Sequence, residues 1–223
     1  MCFQSRAMVP APLVPAPDRV QAARVAYDFL DRLSTPGVLA AQAANGAAGL
    51  WDKAGRNRSF TRFTDNERDF IARRDSFYMA TVSSSGWPYV QHRGGPAGFL
   101  KLLDDQTLGF ADYVGNRQYI SIGNFATDNR AALILMDYPA RARLKVLAHV
   151  QVHDLAAAPD LAARLASEGR GRAERGITLR LEAFDWNCPQ HITPRFTTAE
   201  VEAAVAPLRE RIAMLEAELA LRG

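Results

Sequence analysis

The sequence predicts a mainly β protein, a mostly antiparallel barrel with helical additions, and three observations predict it. From residue 76 onward the apolar residues recur at a period of about two, as in strands that bury one face. The stretches between these runs are short and rich in turn formers, with few helical patterns among them. Finally, 48% of the 223 residues are apolar, enough for a real core.

Residues 1–17 hold Pro10, Pro12, Pro15 and Pro17, which remove backbone donors and fix φ against a helix. They are expected to form a flexible, polyproline-like arm. Residues 18–75 read as a helical extension. Asp18 can cap a helix carrying Val20, Ala23, Tyr27 and Leu30, which Ser34-Thr35-Pro36-Gly37 ends. An Ala-rich helix follows over about 38–53, and Thr64 with Glu67 makes a capping box for a short helix through Phe70 and Ile71.

The barrel is expected over 76–196. Strands 77–82 and 89–93 flank the hairpin signal Ser84-Ser85-Gly86, and strands 99–103 and 107–112 flank Asp104-Asp105-Gln106. Ala131 to Asp137 is a continuous apolar strand ended by Tyr138-Pro139. In 142–153, Ala142, Leu144, Val146, Ala148, Val150 and Val152 form one face, and the length suits a strand curving through a barrel wall. Ile177, Leu179, Leu181 and Ala183 alternate likewise in a seventh strand, 177–186. Residues 197–223 read as a C-terminal helix opened by the Thr197/Glu200 capping box, with Val201, Val205, Leu208, Ile212, Leu215 and Leu219 in one seam. Pro207 is expected to kink or divide this helix, and the seam to pack on its own barrel or on a partner chain.

The charge balance of 27 Lys+Arg against 24 Asp+Glu gives +3, spread along the chain without a basic run, which points away from nucleic acid. The longest mid-chain apolar run, Ala131 to Met136, is far short of the roughly 20 residues of a membrane span, so no membrane association is expected. Only Cys2 and Cys188 occur, too few for a disulfide framework or a cysteine metal site, and the N-terminal prolines interrupt any signal-peptide core. A cytoplasmic location fits. His149 and His153 stand four residues apart on a strand, about 13 Å, too far to share one ion. No metal is expected, and Gly169-Arg170-Gly171-Arg172 with Arg175 reads as a solvated basic loop.

Three stretches carry the chemistry. Tyr89-Val90-Gln91-His92-Arg93-Gly94-Gly95-Pro96 leads a strand into glycines that permit close backbone approach, while the planar fork of Arg93 suits a carboxylate or phosphate. In Phe110-Ala111-Asp112-Tyr113-Val114-Gly115-Asn116-Arg117-Gln118 a strand end leads into an expected helix through about Asn124, whose first amides beside Arg117 would hold an anion. The third, Asp185-Trp186-Asn187-Cys188-Pro189-Gln190-His191-Ile192-Thr193-Pro194-Arg195, combines Trp, Gln, His and Arg in a pattern that suits an aromatic ligand with polar edges. Cys188 itself reads as packing. Together the three stretches suggest one pocket for a planar, phosphorylated molecule.

At these residues the chain resembles the pyridoxamine 5′-phosphate oxidase-like family of flavin-binding split barrels, specifically an uncharacterised flavin-nucleotide-binding branch with QHRGGP, FADYxGNRQY and NCPQH stretches. The resemblance covers about 60–220. It implies a six-stranded antiparallel split β-barrel, a homodimer, and FMN bound noncovalently at the subunit interface. It further implies that Gln91, His92, Arg93 and Gly94 contact the flavin from one strand and that Phe110, Ala111 and Asp112 lie beside the ring system. By the same resemblance Asn116, Arg117 and Gln118 hold the phosphate, and Trp186, Gln190 and Arg195 border cofactor and substrate. Gln118 stands where the family has a second cation, so Arg117 is the stronger phosphate ligand. His92 and His191 are the candidate proton carriers. The expected function is hydride transfer between a small organic substrate and FMN; the alternative is a non-catalytic FMN-binding, storage or sensing protein. Because Asn187-Cys188-Pro189-Gln190-His191 replaces the oxidases' Arg-x-His arrangement, vitamin B6 oxidation itself is not expected.

Overall fold

In the computed structural model, which describes residues 28–51, 60–167, 173–186 and 190–222, the period-two runs form seven strands. These are β1 (Ser76–Val82), β2 (Pro88–Gly94), β3 (Lys101–Asp104), β4 (Thr107–Asp112), β5 (Arg130–Asp137), β6 (Ala142–His153) and β7 (Arg175–Trp186). All pair antiparallel in a single sheet of order β2-β1-β5-β6-β7-β4-β3. The residue pattern indicated seven strands and the resemblance six; the sheet has seven, and no ladder closes it among the described residues.

The sheet nevertheless curls around one core. Phe77 of β1 lies 5.6 Å from the ring of Phe99 and 5.5 Å, edge to face, from Phe110 of β4, although β1 and β4 stand near opposite ends of the strand order. Met79, Leu108, Leu133, Leu135, Leu144, Val146, Ile177 and Leu179 fill the space between, each buried. Alternation decides what faces inward: Arg93 and Gln91 are paired with Phe77 and Met79, so they share the core-facing side of the sheet. His92 and Val90 are paired with Tyr78 and Ala80 on the outer side.

One irregularity changes the reading of β7. Leu147 pairs with Ala183, but Ala148 pairs with Leu181, which leaves Glu182 as the extra residue of a β-bulge. The bulge reverses the alternation: Ile177, Leu179 and Leu181 face the core before it, while Phe184 and Trp186 face the core after it. Glu182 itself forms an ion pair with Arg32 of α1 (Asp28–Leu33) on the outside.

The helices follow their caps. In α3 (Asp65–Ala72) the Glu67 carboxylate accepts from the Thr64 amide at 2.9 Å and the Thr64 hydroxyl at 2.6 Å. The Ala-rich α2 (Pro36–Ala44) is shorter than expected because Asn45 caps it and Gly46, at φ 71, leaves the helical region. Two further helices are α4 (Ile120–Phe125) and α5 (Pro159–Leu165). The expected proline-rich arm, the Asp18 cap, the segment 52–59, the loop 168–172 and Asn187 to Pro189, with Cys188, fall outside the described residues.

Two of the expectations for the C-terminal helix α6 (Thr198–Ala220) are narrowed. The helix starts at the Thr197/Glu200 box, with the Thr197 amide donating to Glu200 at 2.7 Å, yet it runs unbroken through Pro207. A proline removes one donor, which the bonds of the neighbouring turns can carry without division of the helix. Nor does its seam pack on its own barrel: no α6 residue is buried.

Candidate functional site

The curled sheet brings the end of β2 against the end of β4, and the contact there is polar. Arg93 Nη1 donates to Asp112 Oδ1 at 2.8 Å, with both side chains largely buried, and the guanidinium lies 5.8 Å from the Phe110 ring centre. Asp112 is paired with Arg175 in the β4–β7 register, which sets Arg175 Nε 3.7 Å from its second oxygen. Arg175 also donates to Glu174 at 2.6 Å. The Nε of Arg93 is buried and has no hydrogen-bond partner among the described residues. A buried donor without an acceptor is costly, so this atom marks where an external acceptor fits.

The loop after β4 forms the facing wall. Asn116 Oδ1 accepts from the Gln118 amide at 3.1 Å, a side-chain turn that replaces a helical start. Arg117 and Tyr119 take left-handed φ values of 60 and 51, which non-glycine residues adopt at a cost of roughly 1 kcal/mol each. Tyr119 recovers part of that by packing: its hydroxyl donates to Glu174 at 3.0 Å and the Arg175 guanidinium lies 4.8 Å over its ring. Ser121 donates to Gln91 across the gap at 3.3 Å. The expected anion site at a helix start is thereby corrected. Helix α4 begins only at Ile120 and spans six residues, so Arg117 and Gln118 precede it and owe their position to the turn.

Two adjoining cavities result. One, of about 150 Å³, is lined by Gln91, Arg93, Asp112, Asn116, Arg117 and Gln118 together with Ser121 and Glu174. The other, of about 200 Å³, is bordered by His92, Arg93, Gly94, Phe110, Ala111 and Asp112. All ten residues expected from the first two stretches thus come together. His92 reaches the rim only, since its ring turns outward to meet Tyr78 edge to face at 5.4 Å. The charged residues lining the first cavity are Arg93 and Arg117 against Asp112 and Glu174, a balanced set; Arg175, outside the lining, adds a positive charge behind Asp112, and Arg117 is exposed. That donor set fits an anionic, polar-edged ligand. Arg175, read above as part of a solvated basic loop, instead opens β7 with its side chain largely buried; Glu174 and Ser121 were missed. Only the pairing of Asp112 with Arg175 draws Arg175 and Glu174 to the site, and no local pattern announces it.

The third stretch lies elsewhere in the single chain. Trp186 Nε1 donates to Glu67 at 2.6 Å and its ring meets Phe70 edge to face at 4.7 Å, because the Glu182 bulge turns it toward the core and α3. Burial alone would push the Glu67 carboxyl up, but donation from the Thr64 side chain, Trp186, the Thr64 amide and Asn66 outweighs it and holds the group below its ordinary value. Gln190 and His191 are exposed, with His191 at φ 65, and Arg195 places its guanidinium 5.1 Å over the Tyr138 ring. None of the four lines either cavity. His149 and His153 are engaged by Asn129 at 3.2 Å and Thr178 at 2.7 Å.

The family described as Pyridoxamine 5′-phosphate oxidase matches residues 63–181. No curated protein matches the sequence. Among solved structures, HupZ of Group A Streptococcus is 16% identical over 60% of this chain and 99% of its own, with a TM-score of 0.47. A protein of Clostridium acetobutylicum related to general stress protein 26, of the pyridoxinephosphate oxidase family, is 12% identical over 61% and 95%, with a TM-score of 0.43. An FMN-binding protein of Syntrophomonas wolfei is 11% identical over 56% and 85%, with a TM-score of 0.40.

Proposed function

The chain belongs to the pyridoxamine 5′-phosphate oxidase family, and from that premise we propose that it is an FMN-dependent oxidoreductase acting on a small organic substrate. The observation that carries the reading is the Arg93 guanidinium, held by Asp112 and, among the described residues, with its buried Nε unmatched, in the wall of a cavity that Arg117 also lines. When bound, FMN supplies hydride chemistry, its electrons passing on to oxygen or a nicotinamide. The residues of the chain bind and orient it. Arg93 donates to the anionic or carbonyl edge of the ligand, and Arg117, Asn116 and Gln118 take the phosphate at the open end. Gln91 and Ser121, already bonded to each other, offer a further donor and acceptor. His92 borders the second cavity with its ring against Tyr78, and proton exchange with a substrate there requires that ring to turn inward. A single compact anion site with no dinucleotide fingerprint favours FMN over FAD.

The same reading includes a homodimer with the cofactor between subunits. Its support is the outer side of β1, β2 and β5, where Tyr78, Val82, Val90 and Ile134 are exposed in one apolar field beside the exposed Trp87. The test is an absorption spectrum of the purified protein with mass identification of the released ligand, then affinity of the apoprotein for FMN. Arg117→Ala is expected to weaken FMN by the roughly 1.5–3 kcal/mol of a hydrogen bond to a charged group. Unchanged affinity, or release of FAD, overturns the assignment. Saturable oxidation of a reductant separates an enzyme from an FMN store or sensor, which would hold flavin and reduce slowly and unselectively.

A further inference from the structure

Helix α6 is 23 residues long and leaves its seam bare: Leu208, Ile212, Leu215 and Leu219 are 63%, 55%, 41% and 69% exposed. Spacings of four and three residues place them in one stripe, the pattern that buries itself against a second helix of like pattern. The flanks of the stripe are charged in blocks. Arg209 and Arg211 border its middle on either side, and Glu216 and Glu218 border its end on the same two sides.

We propose that α6 pairs antiparallel with α6 of a second copy, in the register that sets Leu208 against Leu219 and Ile212 against Leu215. In an antiparallel pair, facing seam residues have a constant sum of numbers. The flanking residues then meet two positions off that sum on either side. This register brings Arg209 beside Glu216 on one flank and Arg211 beside Glu218 on the other, each twice by the two-fold axis. A parallel, in-register pair matches only Arg211 with Glu216. Within its own helix Arg209 reaches Glu202 at 2.6 Å, with both side chains more than half exposed. Such a solvated pair is readily exchanged for a neighbour across an interface. Pro207 falls just outside the overlap and off the stripe, so the paired segment keeps all its donors.

The overlap of residues 208–219 spans about 18 Å, too little alone for the roughly 1,000 Å² of a stable interface. The pairing therefore rests on the homodimer proposed above and clasps it. Its position agrees: α6 follows Ile192, which is buried, and Arg195, which stacks on Tyr138 just beyond β5, the strand that shares the apolar outer face.

The test uses the full chain loaded with FMN, with Cys2→Ser and Cys188→Ser. Chains carrying Leu208→Cys and chains carrying Leu219→Cys, differently tagged, are co-expressed, sized by light scattering and oxidised. The expected result is a disulfide joining the two kinds of chain. Leu208→Cys alone should not cross-link to itself, because the two copies of residue 208 lie about 16 Å apart along the pair, beyond disulfide reach. In the co-expressed pair, Arg209→Glu with Arg211→Glu on both chains should lower the cross-linked fraction several-fold. Adding Glu216→Arg and Glu218→Arg should restore it. Self-cross-linking of Leu208→Cys, or a dimer that yields no mixed disulfide, overturns the pairing while leaving the homodimer. A monomeric mass overturns both.

Discussion

Replacing Arg93 by methionine separates two roles that the structure gives one side chain. Arg93 and Asp112 are joined at 2.8 Å with 17% and 9% side-chain exposure, so removing the arginine strands a nearly buried carboxylate. Breaking a buried pair in this way costs roughly 3–5 kcal/mol. Here Arg175 remains 3.7 Å from the other carboxylate oxygen and offsets part of the loss, so about 2–3 kcal/mol is expected. Adding Asp112→Leu removes the stranded charge and should return stability to within about 1 kcal/mol of the parent. FMN affinity should not return with it. Both variants lack the Arg93 donors, and the loss of a hydrogen bond to a charged group, about 1.5–3 kcal/mol, corresponds to roughly 10- to 150-fold in Kd. Denaturant unfolding of the apoprotein measures the first quantity and flavin fluorescence titration the second. A double variant that binds FMN as tightly as the parent would refute Arg93 as a ligand. A single variant as stable as the parent would refute the ion pair as the brace between β2 and β4.

Two further outcomes follow from the packing. The Glu67 carboxyl is held below its ordinary value in the folded chain, so its contribution to stability is complete above the unfolded value and is lost as pH falls through the lower folded one. Trp186→Phe deletes one of its donors and should shift acid unfolding, followed by far-ultraviolet circular dichroism, to higher pH; identical acid midpoints would show that the 2.6 Å bond contributes nothing. Gly109→Ala would put a Cβ 2.8 Å from both Leu103 Cδ1 and Leu165 Cδ2 and should cost roughly 1–3 kcal/mol, whereas Gly123→Ala meets nothing within 4 Å. Equal thermal stabilities for the two alanine variants would contradict that difference.

The strands were legible because each carries its evidence locally. Alternation over 142–153 gives β6 its bounds, and Ser84-Ser85-Gly86 marks the turn between β1 and β2. Both capping boxes were legible for the same reason, since cap and carboxylate stand three residues apart. The cavity residues were half legible. Arg93, Asp112 and Arg117 stand out as polar residues at strand ends, but Arg175 joins them only through a pairing between strands 60 or more residues apart, which no local pattern encodes. The β7 bulge was not legible at all. Glu182 is an ordinary polar residue at an ordinary polar position, and one inserted residue redirects Trp186 from the face its alternation assigned.

The cavity reflects how the sheet is left open. A barrel closed by a complete ladder would satisfy its edge strands with backbone hydrogen bonds and leave no polar gap. In this chain β2, one edge of the sheet, meets the inner strand β4 through side chains, Arg93 with Asp112. The β6–β7 ladder is interrupted by the bulge opposite Leu147 and Ala148, where bulged strands take added twist. Filling the Arg93 region with apolar residues should therefore make the barrel no less stable while removing its one buried unmatched donor among the described residues. The polar seam is retained at the expense of an easier apolar closure, as expected where a fold keeps an opening for a ligand.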